Sequence, residues 1–177
     1  MKYMIVSDIH GDADCTDKFL RIFDEEKCDR LVILGDILYH GPRNDLPSGY
    51  NPKRVILALN SISDKITAVK GNCDAEVDEA VLNFEIFPSP YYTDLNGIKT
   101  VLTHVRERVD LNKKAALLLC SHTHVLCAER EPDGTVVINP GSVSIPRSGN
   151  PSTFAVLNGG EIKIFDFNLS LIKSLEI

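Results

Sequence analysis

Short apolar runs alternate with amphipathic stretches through the first half of the chain. Residues 2–7, 30–34 and 65–70 are predicted strands, and residues 16–26 and 52–62 place apolar side chains at helical spacing. Pro52 suits the first turn of the second helix. The resulting order of strand, helix, strand, helix and strand predicts parallel pairing with right-handed crossovers.

Strand patterns dominate the second half. Residues 91–104 are a predicted hairpin with Asn96-Gly97 at its turn, and residues 153–167 are another around Gly159-Gly160. Short strands are predicted between them at 116–121, 125–130 and 135–140. We therefore expect one α/β domain, residues 1–177, in which two sheets pack face to face with helices outside. Residues 39–51 form a long irregular stretch, and long ordered loops of this kind often carry functional residues.

Composition narrows the class of protein. The formal net charge of -6 gives no overall attraction to nucleic acid or acidic lipid, and neither a basic stripe nor an aromatic platform appears. No apolar run approaches the roughly 20 residues that span a bilayer, and the N-terminal run is too short for a signal peptide. A cytoplasmic protein that binds neither membrane nor nucleic acid is expected. The five cysteines include no CxxC pair, so free thiols are predicted, with Cys120 packed on an apolar strand.

Polar residues with metal-binding or acid–base chemistry follow five of the predicted strands. In chain order they are Asp8 and His10, Asp36, Asn72 and Asp74, His104, and His122 and His124. Sites in open α/β sheets form outside the carboxyl ends of strands, so these side chains are expected to meet.

Each segment taken alone has a structural explanation. Asp8 fits a strand end before a helix, Asn72 and Asp74 fit the cap of a helix at 74–82, and a lone His104 is more often a core histidine than a ligand. These structural explanations would have to hold independently at all five strand ends. A shared functional site is therefore the better explanation of the cluster.

The residue types indicate a metal centre. Asp, His and Asn without thiolate suit Mn²⁺, Zn²⁺ or Fe. Seven such side chains exceed the ligand set of one tetrahedral zinc ion and suffice for two ions that share a carboxylate. His122 and His124 are then ligands, one to each ion, and Cys120 is not.

The motif order Asp-x-His, Gly-Asp, Gly-Asn, His and His-x-His, from Asp8 to His124, resembles the calcineurin-like metallophosphoesterases. The segments "GDILYHGPRNDLPSGYNP", "GNCDAEVD" and "NPGSVSIPRSGNPSTFAVL" resemble the YfcE-type branch of small bacterial phosphodiesterases. The resemblance implies a four-layer α-β-β-α sandwich of two mixed sheets flanked by helices. It also implies hydrolysis of small phosphate esters, most simply phosphodiesters, by a hydroxide activated at a two-metal centre. Mn²⁺ is the first expectation, with Zn²⁺, Fe or Ni²⁺ as alternatives, and a homo-oligomer is plausible.

The resemblance also implies a role for each residue. Asp8, His10 and His124 would bind the first metal, Asn72, His104 and His122 the second, and Asp36 both.

Five further residues receive candidate roles. Cys73 stands where the superfamily often has a histidine, and a thiol is the poorer proton donor, so esters with good leaving groups are expected. Packing as a small residue is nearly as good an explanation of Cys73. Asp74 orients a neighbouring group or caps a helix. Arg43 and Asn44 contact substrate or belong to a solvated loop, and Arg147 is a weaker candidate for a phosphate contact.

The chain departs from the family pattern at two places. Val105 and Arg106 follow His104 where the branch usually has glycine and histidine, and Ser121 replaces a glycine before His-x-His. A cation at Arg106 would repel the second metal or attract phosphate. The alternative hypothesis is therefore a catalytically impaired binding or scaffold protein that keeps the fold.

Overall fold

The computed structural model describes residues 1–110 and 115–177. The α-helices are α1 (Ala13–Glu25), α2 (Pro52–Asn60) and α3 (Glu76–Val81). The strands are β1 (Lys2–Val6), β2 (Arg30–Ile33), β3 (Ile66–Val69), β4 (Ile86–Phe87), β5 (Tyr91–Leu95), β6 (Ile98–Leu102), β7 (Leu117–Leu119), β8 (Cys127–Arg130), β9 (Val136–Asn139), β10 (Thr153–Asn158), β11 (Glu161–Asp166) and β12 (Leu171–Glu176). Short 3-10 turns lie at Ser63–Lys65 and Arg106–Arg108. Among the described helices, none has the length and apolar character that crossing a membrane requires.

The strands form two mixed sheets. The seven-stranded sheet has the order β12-β11-β10-β1-β2-β3-β4, and β1 to β4 run parallel. The five-stranded sheet has the order β5-β6-β7-β9-β8, with β6, β7 and β9 parallel. The predicted parallel pairing of the first three strands is confirmed, as are both predicted hairpins.

Alternate residues of the strands face different layers. Tyr3 and Ile5 of β1 join the apolar core between the two sheets, whereas Met4 and Val6 face the helices. Phe19 of α1 packs together with residues of α2 into a second apolar core, which lies between the helices and the larger sheet. Because side chains alternate along a strand, a sheet covered on both faces must be apolar almost throughout. The predicted α/β fold of two mixed sheets is confirmed.

The outer face of the five-stranded sheet carries a smaller apolar cluster, formed by Val101, Leu118, Cys120 and Val137. Val109 packs against it, next to the 3-10 turn at Arg106–Arg108. Cys120 is buried here, and burial raises the pKa of its thiol to about 12. The prediction that Cys120 is a packed thiol is confirmed by its place in this cluster.

Some helix and strand boundaries differ from the predicted ones. They differ where a helix cap or the pairing of distant strands sets the boundary. Helix α1 begins at Ala13 rather than at residue 16, because the Asp12 carboxylate accepts the Cys15 N–H at 2.9 Å and caps the helix. Strands β4 and β12 were not predicted. β4 has only two residues, and β12 is largely exposed, so neither carries an apolar pattern.

We expect Phe19→Ala to lower the free energy of unfolding by about 3–5 kcal/mol, because it removes a side chain that is 0% exposed between α1 and the sheet. Leu57→Ala is the matched control, since Leu57 is 73% exposed on α2, and it should change stability by less than about 0.5 kcal/mol. Urea unfolding of both variants measures the difference. Equal losses would contradict the assignment of Phe19 to the core.

Candidate metal centre

The carboxyl ends of strands from both sheets meet at one edge of the molecule. Asp8, Asp36 and Asn72 follow β1, β2 and β3 of the larger sheet. His104 follows β6, and His122 and His124 follow β7 of the smaller one. The structure brings all seven predicted ligand residues into one cluster, joined by contacts of 2.9–3.8 Å.

The first group consists of Asp8, His10 and His124, all buried. Asp8 Oδ1 lies 3.3 Å from His124 Nε2 and 3.8 Å from His10 Nε2. The two Nε2 atoms are 3.3 Å apart. Asp8 Oδ1 is buried and has no hydrogen-bond partner among the described residues.

The second group lies beside the first and shares Asp36 with it. Asp36 Oδ2 is 3.7 Å from His10 Nε2 and 3.4 Å from His104 Nε2. His104 Nε2 is in turn 2.9 Å from Asn72 Oδ1 and 3.2 Å from His122 Nδ1. One carboxylate oxygen therefore faces both groups.

Backbone carbonyl groups orient three of the histidines. Nδ1 of His10, His104 and His124 each lies 2.8 Å from a carbonyl oxygen. Those carbonyls belong to Tyr39, Leu34 and Ile145. A carbonyl only accepts, so Nδ1 carries the proton and Nε2 points toward the cluster. The sequence contained no signal for these partners, because any residue supplies a carbonyl.

The first group fits a cation. With Nδ1 protonated, His10 and His124 direct two lone pairs at each other and at the unpartnered Asp8 Oδ1. Burial lowers the pKa of His10, which opposes a second proton on its ring. Imidazole nitrogen and carboxylate oxygen are donors that Mn²⁺, Zn²⁺ and Fe accept.

The charge of the second group depends on Asp36. Burial alone raises the pKa of this carboxyl, but the His104 hydrogen bond and charge, with the Cys73 N–H and His10, lower it to about 2. Burial likewise opposes charge on His104, and the contact with Asp36 raises the pKa of His104 overall. A proton on His104 Nε2 would compete with a cation at this nitrogen.

The backbone at the cluster is strained. Five of the seven predicted ligand residues have φ between 49° and 72°, in the left-handed region that non-glycine residues avoid. They are Asp8, His10, Asp36, His122 and His124. Such conformations cost about 1–3 kcal/mol each and concentrate at functional sites, where the surrounding structure holds them.

Asp74 ties two ligand-bearing loops together. Its carboxylate accepts the N–H groups of Asp36 at 2.8 Å, Ile37 at 2.7 Å and Gly71 at 2.7 Å. Burial raises the pKa of Asp74 to about 6, against the lowering effect of these donors. Gly71 must be glycine, since a Cβ there would collide with the Asp36 carboxylate.

Cys73 contacts two predicted ligands. Its N–H donates to Asp36 Oδ1 at 2.8 Å, and its sulfur accepts from Asn72 Nδ2 at 3.2 Å. The second contact turns Asn72 Oδ1 toward His104. Burial, followed by the charge of Asp36, raises the pKa of the Cys73 thiol to about 12.

A cavity of about 480 Å³ opens onto the cluster. It is lined by Asp36, Cys73 and His124 and by the three candidate substrate residues Arg43, Asn44 and Arg147. Its size suits a small-molecule ligand.

The departures from the family pattern leave the cluster intact. Val105 has φ −111° and ψ 115°, so its position does not require glycine. The expectation that Arg106 disturbs the second metal is not supported, because its guanidinium forms ion pairs with Glu129, at 2.6 Å, and with Glu131. Ser121 donates its buried hydroxyl to the Leu34 carbonyl at 2.7 Å.

Comparison with known proteins agrees with this geometry. Residues 1–160 match the model of the calcineurin-like phosphoesterase superfamily domain. The chain is 40% identical over 172 residues to phosphodiesterase YfcE of Escherichia coli K12, covering 95% of this chain and 93% of that protein. The structure of the E. coli YfcE phosphoesterase superposes with a TM-score of 0.91 at 38% identity over 100% of both chains. Vacuolar protein sorting 29 of Cryptosporidium parvum shares the fold, with a TM-score of 0.68 and 15% identity over 99% of this chain and 98% of that one.

The family model covers residues 1–160, and the curated relative is 40% identical over 95% of the chain. The chain therefore belongs to the calcineurin-like phosphoesterase superfamily.

Proposed function

We propose that the protein is a phosphodiesterase that hydrolyses small phosphate esters at a two-metal centre. The family match and the 40% identity to a phosphodiesterase support a phosphoric ester hydrolase. The observation that carries the two-metal detail is the position of Asp36 Oδ2, within 3.7 Å of His10 and 3.4 Å of His104. One carboxylate oxygen facing two donor groups is the arrangement that a bridging ligand needs.

In this proposal each donor group holds one divalent ion. The first ion is bound by Asp8, His10 and His124, the second by Asn72, His104 and His122, and Asp36 contacts both. When bound, such ions lower the pKa of a water molecule and offset negative charge on phosphoryl oxygens. The described residues supply oxygen and imidazole donors, so we propose Mn²⁺ first, with Zn²⁺, Fe or Ni²⁺ able to replace it.

Cys73 and Asp74 act through their neighbours. The Cys73 sulfur holds the Asn72 amide so that its oxygen faces His104, where the second ion would be held. Asp74 holds the backbone of Asp36 and Gly71, and with it the spacing of the bridging carboxylate and Asn72. Buried partners of this kind stabilise ligand orientation and contribute to metal affinity.

Arg43 and Asn44 contact the substrate from the cavity wall. The catalytic proposal is favoured over the scaffold alternative. The seven predicted ligand residues lie in one cluster, and Arg106 is paired with two glutamates. The likeness to vacuolar protein sorting 29 is one of fold. Homo-oligomer formation and a cytoplasmic location stay predictions from the sequence.

We expect chelator treatment to abolish hydrolysis of a chromogenic phosphodiester and added Mn²⁺ to restore it. Asp36→Asn should lower the restored rate by about 100-fold or more, because it keeps the size of the side chain and removes the bridging charge. Asp45→Asn, at an exposed position of the 39–51 loop, is the matched control and should leave the rate unchanged. Wild-type activity in Asp36→Asn would contradict the mechanism.

Asp74→Asn should raise the Mn²⁺ concentration for half-maximal activity by about 10- to 100-fold, because the amide cannot accept all three N–H groups. Asp78→Asn is the control, since that buried carboxylate accepts only the Ala75 N–H, at 2.8 Å, among the contacts the structure describes. It should leave metal affinity unchanged. A loss of thermal stability in Asp74→Asn without a change in metal affinity would show a merely structural role.

We expect the wild type to discriminate strongly between nitrophenyl and alkyl phosphate esters, because a thiol whose pKa is raised to about 12 is a weak proton donor to an alkoxide. Cys73→His should raise the alkyl-to-nitrophenyl rate ratio by about ten-fold or more. Cys73→Ser serves as control and should keep the wild-type ratio. An unchanged ratio in a Cys73→His protein with full metal content would argue against a proton donor at this position.

A further inference from the structure

The rim of the cavity carries two arginines that form no ion pair. Arg43 belongs to the 39–51 loop and Arg147 to the segment 139–152, and both side chains are exposed. Within residues 1–110 and 115–177, neither guanidinium pairs with a carboxylate. Arg54 and Arg106 do form ion pairs, whereas Arg21, Arg108 and Arg130 form none within these residues and lie outside the cavity. The position of Arg43 and Arg147 at the cavity is therefore what distinguishes them.

Arg147 is held in place although it has no acidic partner. Its Nη2 donates to Asn44 Oδ1 at 2.8 Å, and its backbone N–H donates to the His124 carbonyl at 3.0 Å. Asn44 Nδ2 donates to the His40 carbonyl at 2.8 Å, which keeps the amide oxygen turned toward Arg147. A guanidinium has five N–H donors, and an oriented one loses less conformational entropy when it binds an anion.

Most of the predicted metal donors lie deeper than the arginines. Asp8, His10, Asp36, His104 and His124 are buried, whereas His122 is half-buried and Asn72, like Arg43 and Arg147, is exposed. A phosphoester whose phosphorus lies at the buried donors extends an ester arm toward the opening of the cavity, which Arg43 and Arg147 line.

The net charge of the cavity also favours an anionic group on the ester arm. The carboxylates of Asp8 and Asp36, a hydroxide and a simple phosphodiester would together balance the charge of two divalent ions. The two guanidinium groups of Arg43 and Arg147 then leave the cavity with a positive excess, in a chain whose net charge is -6. Like charges in one cavity repel, and an anion that contacts the rim offsets that repulsion.

We propose that the preferred substrate is a phosphodiester whose ester arm carries a second anionic group, a carboxylate or a phosphate, bound by Arg43 and Arg147. This proposal rests on the proposed function and names its substrate class. A guanidinium fork matches both groups in a bidentate manner.

The test uses three nitrophenyl phosphodiesters that differ only in the second arm: propyl, 2-carboxyethyl and 2-phosphonooxyethyl. Metal-loaded wild-type protein should hydrolyse the two charged-arm esters with a kcat/KM about ten-fold above the propyl ester, mainly through a lower KM. The comparison of the two anionic arms identifies the preferred group. Added salt should reduce the advantage, because exposed charges are screened.

Arg147→Gln and Arg43→Gln should each lower kcat/KM more for the two charged-arm esters than for the propyl ester, and so reduce the preference for charged arms. Arg147→Lys should restore part of it, since lysine keeps the charge but not the fork. Arg21→Gln is the matched control: it removes an exposed positive charge from α1, outside the cavity, and should leave the preference unchanged.

Two outcomes overturn the inference: no preference for charged arms in the wild type, or equal losses on all three esters in the arginine variants. The second would mean that the guanidinium groups hold the scissile phosphate. If no ester is hydrolysed with any metal, the proposed function fails. Calorimetry with the matching phosphonates, in which a methylene replaces the bridging oxygen, then decides the inference. Tighter binding of the charged-arm phosphonates supports it, and equal binding rejects it.

Discussion

The Asp36 carboxylate is the interaction on which the rest of the site depends. One of its oxygens accepts the Cys73 N–H, and the other faces His10 and His104. Its backbone is held by Asp74, which also holds Gly71. A single aspartate thereby links the loops after β2 and β3 to both donor groups. Displacing it would disturb the spacing of the two donor groups and the backbone hydrogen bonding together.

The surrounding fold stabilises this strained arrangement. Left-handed residues at the cluster would be unfavourable in isolation, and they persist because the strands that precede them are anchored in two apolar cores. Three backbone carbonyl groups, those of Tyr39, Leu34 and Ile145, fix the ring orientation of three histidines of the cluster. The strands and these hydrogen bonds hold the donor side chains close together, although their lone pairs and negative charges repel one another when no cation is bound.

Two positive charges lie at the opening of the cavity. Acidic residues exceed basic ones along the chain, and some exposed arginines, such as Arg54, are paired with neighbouring aspartates. Arg43 and Arg147 form no ion pair among the described residues, and both line the cavity. Their guanidinium groups stand beside the buried carboxylates of the cluster in a chain that is acidic as a whole.

The sequence by itself determined most of the helices and strands and the residue types that suit a metal centre. Apolar periodicity placed β1, β2 and β3, and polar residues at their ends marked Asp8, Asp36 and Asn72, because chain direction dictates which edge of a parallel sheet they share. Only the tertiary structure decided the rest. The carbonyl partners of the histidines, the exact start of α1 and the pairing of β12 depend on residues distant in sequence. The ion pairs of Arg106 with Glu129 and Glu131 also join residues distant in sequence. They neutralise the positive charge that the sequence suggested would disturb the second donor group. A local pattern encodes burial and periodicity, whereas the partner of a given donor or charge is set by which chain segments the fold brings together.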